Sequence, residues 1–565
     1  MASPFDFFRR RASEPSTPPA ALAAASPARN LEGVVAYHLA TRHDFHRYAR
    51  GPYDLDWATQ PDPFRRYLGA PLIPLDRVPI ETGPAYSAVF GSGQVEPAAL
   101  DRASLSRLLM DSLGLSAWKQ YGESRWALRV NPSSGNLHPT EAHLLLPAIA
   151  GLSPTPMLAH YAPLEHGLEV RASLPTELWR DLVAALGEEA FFVGLSSIHW
   201  REAWKYGERA WRYCQHDLGH ALACVSIAAR GLGWRVELAD ELGHDDLMRM
   251  FRLEAAGGAE PEEPDVLLIV HTHPAPRSRS EIVVPPAFAQ IEPLGAPNEL
   301  SSDHVEWDAI DFVARATRKP RTAATYAEEH VVAPIPPPSD IDTGALALRS
   351  VLHGRRSAVA FDGKTSIDRA SFLRLCAQTC RFPADMLPWA PRVSLGFFVH
   401  RVRDLQSGLY LLARDPTQVP LWRGAMRATF EWEAVDGGPA GLALFRLAGG
   451  DFRATAKSVS CHQDIAADGV FAAAMLCEFD PALGRHGAWF YPRLFWECGL
   501  VGQILYLEAE ALGIRATGIG CFFDQPAEQV FGLDTGRFRS LYHFSAGGPV
   551  EDGRLQTIPA YSDGK

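Results

Sequence analysis

At 565 residues the chain is too long for one ordinary core, and two or three folded units are expected. Its 47% apolar and 10% aromatic residues are those of a well-packed soluble protein. A net charge of −12 with no compensating basic tract argues against nucleic acid as a partner.

In chain order, residues 1–30 are rich in Ala, Pro, Ser and Arg without the continuous apolar run of a signal peptide, which predicts a disordered tail. Residues 31–280 read as one globular unit that ends in the strand-like Asp265-Val266-Leu267-Leu268-Ile269-Val270. A linker over 281–340 follows and closes on Pro334-Ile335-Pro336-Pro337-Pro338, a run that favours extended polyproline geometry and suits a spacer. The second unit, 341–565, opens on a helical pattern at Ala345-Leu346-Ala347-Leu348. No stretch of eighteen apolar residues exists, so no membrane span is expected. The eight cysteines form no CxxC pair, and Cys376 and Cys380 sit one helical turn apart like two core thiols. Reduced cysteines and a cytoplasmic address follow.

The two units read as a duplication. Residues 217–234 (DLGHALACVSIAARGLGW) align without gaps on 497–514 (ECGLVGQILYLEAEALGI), setting Asp217 on Glu497, Gly219 on Gly499 and Gly233 on Gly513. In both, apolar residues fall at helical spacing over a broad face, and the late glycine matches a helix C-cap. Two such copies can use their mutual interface as a homodimer does.

Two short motifs carry chemistry. Pro132-Ser133-Ser134-Gly135-Asn136 offers turn amides, hydroxyls and a carboxamide to a flat polar ring. Arg355-Arg356-Ser357, read as entering a helix, offers cations, a hydroxyl and N-terminal amides to a phosphate. Alone, the first is an ordinary turn and the second ordinary surface charge with a cap. Gly518-Ile519-Gly520 lacks the third glycine and acidic partner of a dinucleotide fingerprint. His216 and His220 lie one turn apart and His271 and His273 share a strand face, but neither pair has a third ligand, so no metal site is assigned.

The segments YHLATRHDFHRYARGPYDLDWATQPDPFRRY (37–67), RVNPSSGNLHPTEAHLLL (129–146) and KYGERAWRY (205–213) resemble the SagB/ThcOx-type dehydrogenases, a branch of the nitroreductase-like FMN superfamily. The second unit resembles the superfamily through Arg355-Arg356-Ser357, Ile514-Arg515-Ala516-Thr517-Gly518-Ile519-Gly520 and Ser545-Ala546-Gly547-Gly548-Pro549. The resemblance implies an α+β fold, with tandem nitroreductase-like domains forming an intrachain pseudo-dimer and FMN held without a covalent bond at the interface. Carried over, Arg355, Arg356, Ser357, Gly518 and Gly520 would come from the second unit. Pro132, Ser133, Ser134, Gly135 and Asn136, with Arg129 at the head of the segment, would come from the first. The acid–base pair of the azoline-oxidising members maps onto Lys205 and Tyr206.

Each unit also departs from the pattern. Arg485-His486 stands opposite Lys205-Tyr206, RFPADMLPWAP (381–391) holds no Pro-Ser-Ser turn, and Thr41-Arg42-His43 is a poor stand-in for Arg-Arg-Ser. One complete FMN site per chain, with a degraded twin, is the simplest expectation. Cys461-His462-Gln463-Asp464 gathers a thiol, an imidazole and a carboxylate, with the interface near the flavin as its functional reading.

The expected function is FMN-dependent oxidation or dehydrogenation of a small molecule or an azoline-containing peptide. Proton removal needs Lys205 or Tyr206 with a pKa depressed from about 10, by desolvation and by cations such as Arg209 and Arg212. The alternatives are an NAD(P)H-dependent reductase of nitro compounds, quinones or flavins, and a non-catalytic flavin-binding scaffold. Association of pseudo-dimers into a larger homo-oligomer is left open.

Overall fold

The computed structural model describes residues 26–91, 93–186, 190–255, 260–273, 280–323, 335–336, 346–384, 386–533 and 536–561. Residues 1–25 of the expected tail, and all of the proline run but Ile335 and Pro336, lie outside the described residues. Pro27 onward is already helical: Pro27–Ala40 starts with proline at its first position, capped by Ser26.

Each unit is built on a seven-stranded antiparallel sheet. In the first unit the strands are β1 (Leu72–Pro74), β2 (Thr140–Leu146), β3 (Met157–Ala162), β4 (Gly167–Ser173), β5 (Ala190–Ser197), β6 (Arg235–Leu238) and β7 (Glu263–His271). Their spatial order is β1-β4-β3-β2-β5-β7-β6. The second unit contributes β8 (Val393–Val399), β9 (Gly408–Ala413), β10 (Glu433–Ala434), β11 (Ala443–Gly449), β12 (Phe471–Glu478), β13 (Arg515–Ile519) and β14 (Phe538–Gly547). Their order is β10-β11-β9-β8-β12-β14-β13, the same wiring with only the outer edge strand drawn from a different place. The central strands β2, β5, β8 and nearly all of β12 are buried along their length, so they read as apolar runs instead of alternating.

A second repeat supports the duplication. Asp101-Arg102-Ala103-Ser104 and Asp368-Arg369-Ala370-Ser371 begin the helices Arg102–Ser112 and Arg369–Ala384. In each, the aspartate carboxylate accepts the N–H of the serine three residues on, at 2.8 and 2.7 Å.

The two long helices, Ala210–Arg230 and Tyr491–Ala511, form the seam between the units. Every residue from Ala210 to Ala229 and from Tyr491 to Ala509 is buried. They cross where Gly219 meets Gly499: a Cβ on Gly219 would lie 2.3 Å from the Trp496 carbonyl, and one on Gly499 would lie 2.1 Å from that of His216. Equivalent residues touching each other mark a pseudo-two-fold axis. The same axis passes between Ala85 and Ala347, whose neighbours exchange hydrogen bonds, Tyr86 N–H to Leu346 O at 2.7 Å and Leu348 N–H to Pro84 O at 3.0 Å. The helical pattern expected from Ala345 therefore starts only at Leu348, because Ala347 is spent on this extended bridge.

The units also exchange arms. Strand Gln556–Ile558 of the second unit pairs with Leu115–Tyr121 of the first, which pairs in turn with Ser124–Arg129. In the other direction, His38 reaches the Tyr491 hydroxyl at 3.0 Å and Arg42 pairs with Glu528 at 2.7 Å. The linker expected over 281–340 is corrected in its described part. Ala296–Pro297 pairs with Tyr67–Leu68, and helix Asp308–Ala316 packs on Pro27–Ala40, its Phe312 ring filling the space beside Gly33. Apolar residues three apart, Ile310, Val313 and Ala316, make that face, which a reading focused on prolines overlooks.

Candidate active site between the two units

The Pro132–Asn136 turn lies just before β2. Gly135 and Asn136 have φ of +60° and +62°, a left-handed pair that glycine and asparagine tolerate. Asp217, on the first long helix, pins the turn by accepting the Ser134 N–H at 3.0 Å and the Ser134 hydroxyl at 3.0 Å. A Cβ on Gly135 would lie 2.5 Å from the Tyr206 hydroxyl and 3.1 Å from Lys205 Nζ. The turn and the Lys205–Tyr206 pair, at the end of helix His199–Tyr206, are thus in direct contact.

Burial lowers the Lys205 pKa from the usual lysine value, with Glu202 pulling the other way. Burial raises that of Tyr206 well above the tyrosine value, reinforced by Glu202. The expected help from Arg209 and Arg212 is corrected: both guanidiniums are committed to the buried Asp524, at 3.0 and 2.9 Å. Glu202, one turn before Lys205, is fully buried. It accepts from the Ser133 hydroxyl at 3.4 Å and has one carboxyl oxygen without a partner. Burial and the Asp217 charge raise its pKa well above the carboxylate range. Sequence reading missed Glu202 because a single acid in an amphipathic helix looks like solvent-facing charge.

From the second unit, Arg355-Arg356-Ser357 arrives beside this turn, but not as a helix start. Helix Leu348–Gly354 ends at Arg355, so the run follows a C-terminus and contributes no N-terminal amides. Arg356 instead donates to the last carbonyls, His353 O and Arg355 O, both at 2.7 Å, as cations do at helix ends. Arg355 donates to Arg129 O at 3.2 Å and Val130 O at 3.3 Å, just before Pro132. The Ser357 hydroxyl lies 2.8 Å from that of Tyr506, which accepts the Gly518 N–H at 2.9 Å. A Cβ on Gly518 would lie 2.0 Å from the Tyr542 hydroxyl, and one on Gly520 would lie 2.5 Å from the Tyr213 ring. Tyr213 packs edge-on against Tyr206 at 4.8 Å, closing a band that runs from Ser357 to Gly135.

The structure therefore brings together Ser133, Ser134, Gly135, Lys205 and Tyr206 from one unit with Arg355, Arg356, Ser357, Gly518 and Gly520 from the other. Pro132 is buried beneath the turn, and the Asn136 amide is turned back to Ala127 O at 2.5 Å. Arg129 does not join: its buried guanidinium serves Thr140 O at 3.2 Å and Pro63 O at 2.6 Å, and burial lowers its pKa to about 10. His216 stacks on Tyr542 at 4.0 Å and His220 bonds Gln503 at 3.2 Å, so both serve packing at the seam.

The donor set suits a phosphorylated flat ligand. Arg355, Arg356, Arg515 and Lys119 crowd together against two carboxylates, Glu510 and Glu551. Burial, then Arg355 and Arg515, bring the Arg356 pKa down to about 10, and Lys119 is lowered by burial and Arg356. An anion would relieve that repulsion. At three glycines, Gly135, Gly518 and Gly520, the tyrosines pack directly on the backbone, so a side chain there would displace the aromatic band.

The pseudo-symmetric twin is filled. Counting from the Ala85–Ala347 bridge, Gly93 and Gln94 stand where Arg355 and Arg356 do, so the Arg-Arg-Ser counterpart is not Thr41-Arg42-His43. That run latches onto the second unit's end, Arg42 on Glu528 and the His43 N–H on Asp524 at 2.9 Å. Counting from the long helices, Asp240 and Arg493 replace Gly520 and Tyr213, and they form a buried ion pair at 2.8 Å. Arg493 lies on the Trp389, Trp489 and Trp496 rings, and Lys319 adds a cation over Trp489 at 5.0 Å. What remains is a cavity of about 50 Å³. Glu497 repeats the task of Asp217, but on the backbone N–H groups of Arg392 and Val393, with no serine turn to hold.

Comparison with solved structures gives the same architecture. A protein of Anabaena variabilis assigned as a nitroreductase superposes over 92% of this chain and 99% of its own, with a TM-score of 0.65 at 19% identity. Part-length likenesses are to the E. coli microcin synthetase McbBCD complex with truncated pro-MccB17 (TM-score 0.25, 18% identity, 35% of this chain and 74% of the other) and to the enone reductase CLA-ER (TM-score 0.20, 12% identity, 38% and 92%). No family model matches the sequence, and no curated protein is similar to it. The fold is that of tandem nitroreductase-like units in one chain.

Proposed function

We propose that the chain is an FMN-dependent oxidoreductase of the SagB/ThcOx dehydrogenase type, with one composite flavin site between its units. The observation that carries this reading is the meeting of Gly135, Lys205 and Tyr206 with Arg356, Ser357, Gly518 and Gly520 along one band. Arg356, Lys119 and Arg515 would hold the phosphate, and the Ser133–Gly135 turn with Tyr213 and Tyr542 would flank the ring. FMN, when bound, supplies the two-electron acceptor.

The directions of the pKa shifts divide the acid–base roles. Lys205, lowered by burial, is the group that takes a proton at Nζ from the carbon next to the oxidised bond. Tyr206, raised, stays protonated and donates a hydrogen bond. Glu202 beneath the turn steadies the ammonium that Lys205 becomes. The substrate class is a small molecule or an azoline-containing peptide. The Asp240–Arg493 pair supports a single site per chain.

The test is the visible spectrum of the purified chain with released flavin counted, then the same for Lys205→Met. One FMN per chain, retained in the variant with turnover lost, is the expected result. Two FMN per chain would sink the single-site reading, unchanged turnover would remove Lys205 from the mechanism, and no uptake of added FMN would leave a scaffold. Rapid bleaching of the flavin by NADPH would move the assignment to a reductase.

A further inference from the structure

Cys461 and Cys521 are sixty residues apart in sequence, and their sulfur atoms lie 2.7 Å apart. Covalent closure to a normal disulfide needs a movement of only about 0.7 Å. Cys461 is buried on a turn where both it and His462 have positive φ, +53° and +59°, a conformation that costs a non-glycine residue energy and is kept where the surroundings enforce it. The enforcement is visible: the Gln463 side-chain amide donates to Ser460 O at 2.9 Å and to Cys521 O at 3.0 Å, and the Phe523 N–H donates to Val459 O at 2.8 Å. The two thiols are thus held face to face by bonds that do not involve sulfur.

Their exposure is unequal. Cys521 is half-exposed, whereas the other seven cysteines are buried. Arg209 donates to Gly520 O at 3.2 Å, so the residue next to Cys521 is itself held in place. Nothing in the acid–base chemistry above uses either thiol.

We propose that Cys461 and Cys521 form a redox-active dithiol that closes to a disulfide by exchange with a small-molecule disulfide, RSSR. The Cys521 thiolate attacks one sulfur of RSSR, forming a mixed disulfide and releasing RS⁻. Cys461 gives its proton to that RS⁻, and its sulfur attacks Cys521 Sγ, releasing the second RS⁻, which takes the proton Cys521 had shed. Two protein thiols are oxidised and one RSSR is reduced to two RSH, so atoms and electrons balance. Cys521 directly follows Gly520, so the disulfide ties the glycine segment of the composite site to the 460–463 turn. The dithiol chemistry stands apart from the flavin reading; only this coupling to the composite site rests on it.

The test uses the full wild-type chain equilibrated in glutathione buffers from fully reduced to excess glutathione disulfide, quenched in acid, denatured and labelled with a maleimide. The expected result is loss of two of the eight thiols and a Cys461–Cys521 cross-linked peptide by mass spectrometry. Cys521→Ser should keep all seven of its thiols, whereas Cys461→Ser, which cannot resolve the mixed disulfide, should trap a glutathione adduct on Cys521 and keep six. In the wild-type chain, eight surviving thiols, a cross-link between other cysteines, or a glutathione adduct that persists on Cys521 would each overturn the dithiol, and that count needs no variant to fold. FMN affinity in the two redox states reads the coupling: a change of threefold or more is expected, and equal affinities refute it. A chain that takes up no FMN but loses two thiols would defeat the flavin reading and leave the dithiol standing.

Discussion

Gly499→Ala tests whether the helix crossing at the seam governs the site. The new Cβ would sit 2.1 Å from the His216 carbonyl and 2.9 Å from Gly219 Cα, both backbone atoms of a helix that is itself buried. Relief requires the two long helices to part by about 1 Å against close-packed surroundings, an overpacking that costs about 1–3 kcal/mol. Alanine's better helix propensity returns up to about 1 kcal/mol. With backbone as the obstacle the upper end applies, leaving a net loss of about 2 kcal/mol, or roughly 4–8 °C in Tm for units of this size. Gly484→Ala, in helix Phe479–His486 with nothing within 4 Å, isolates the propensity term and should melt slightly higher than wild type. Because Asp217 on one helix holds the Ser134 turn and Tyr506 on the other holds Gly518, parting the helices also separates the two halves of the candidate site. Thermal melts and flavin titrations on the three proteins measure both effects. A Gly499→Ala chain that melts at or above wild type would refute the reasoning.

Glu202 raises the Lys205 pKa, so in Glu202→Gln the limb of the pH–rate profile that rises as Lys205 deprotonates should move to lower pH; an unmoved or upward-shifted limb would contradict the role given to Glu202. Asp524→Asn strands the buried Arg209 and Arg212 charges, at a cost of about 3–5 kcal/mol read by denaturation. Although burial alone would raise it, the two arginines hold the Asp524 pKa well below its unfolded value, so its contribution is full above the ordinary aspartate pKa and is lost as pH falls through the folded one. In the variant the acid-side fall in stability should therefore be shallower, and an identical pH curve would count against the pairing. Arg356→Gln should weaken FMN binding with little change in Tm, whereas Arg129→Gln should lower Tm; the reverse pattern would return Arg129 to the flavin site.

What could be read in the sequence follows from how local each signal is. The long helices were legible because burial on every side leaves a continuous apolar pattern, and the Gly219–Gly499 alignment located the crossing without any knowledge of contacts. The turn and the Lys205–Tyr206 pair were legible as motifs, but their contact across Gly135 is tertiary. Arg355-Arg356-Ser357 is legible as a motif but its helix lies on the other side, since the chain turns extended at Arg355 and a serine near a helix reads as a cap at the start.

The twin site was harder for a physical reason. Its missing turn, Lys-Tyr pair and arginine run are visible in the sequence, but what occupies the place is not: Asp240 stands at the Gly520 position and Arg493 at the Tyr213 position, and they satisfy each other. A buried charge is costly alone and tolerable as a pair, so the two replacements had to be compatible across the seam. Neither is visible from its own half of the sequence. The same holds for Glu202 and for Cys461 with Cys521: each is unremarkable until the fold supplies its neighbour. Duplication within one chain is what permits this division, because each half could change on its own side of the axis while the composite site kept one turn from the first unit and one arginine run from the second.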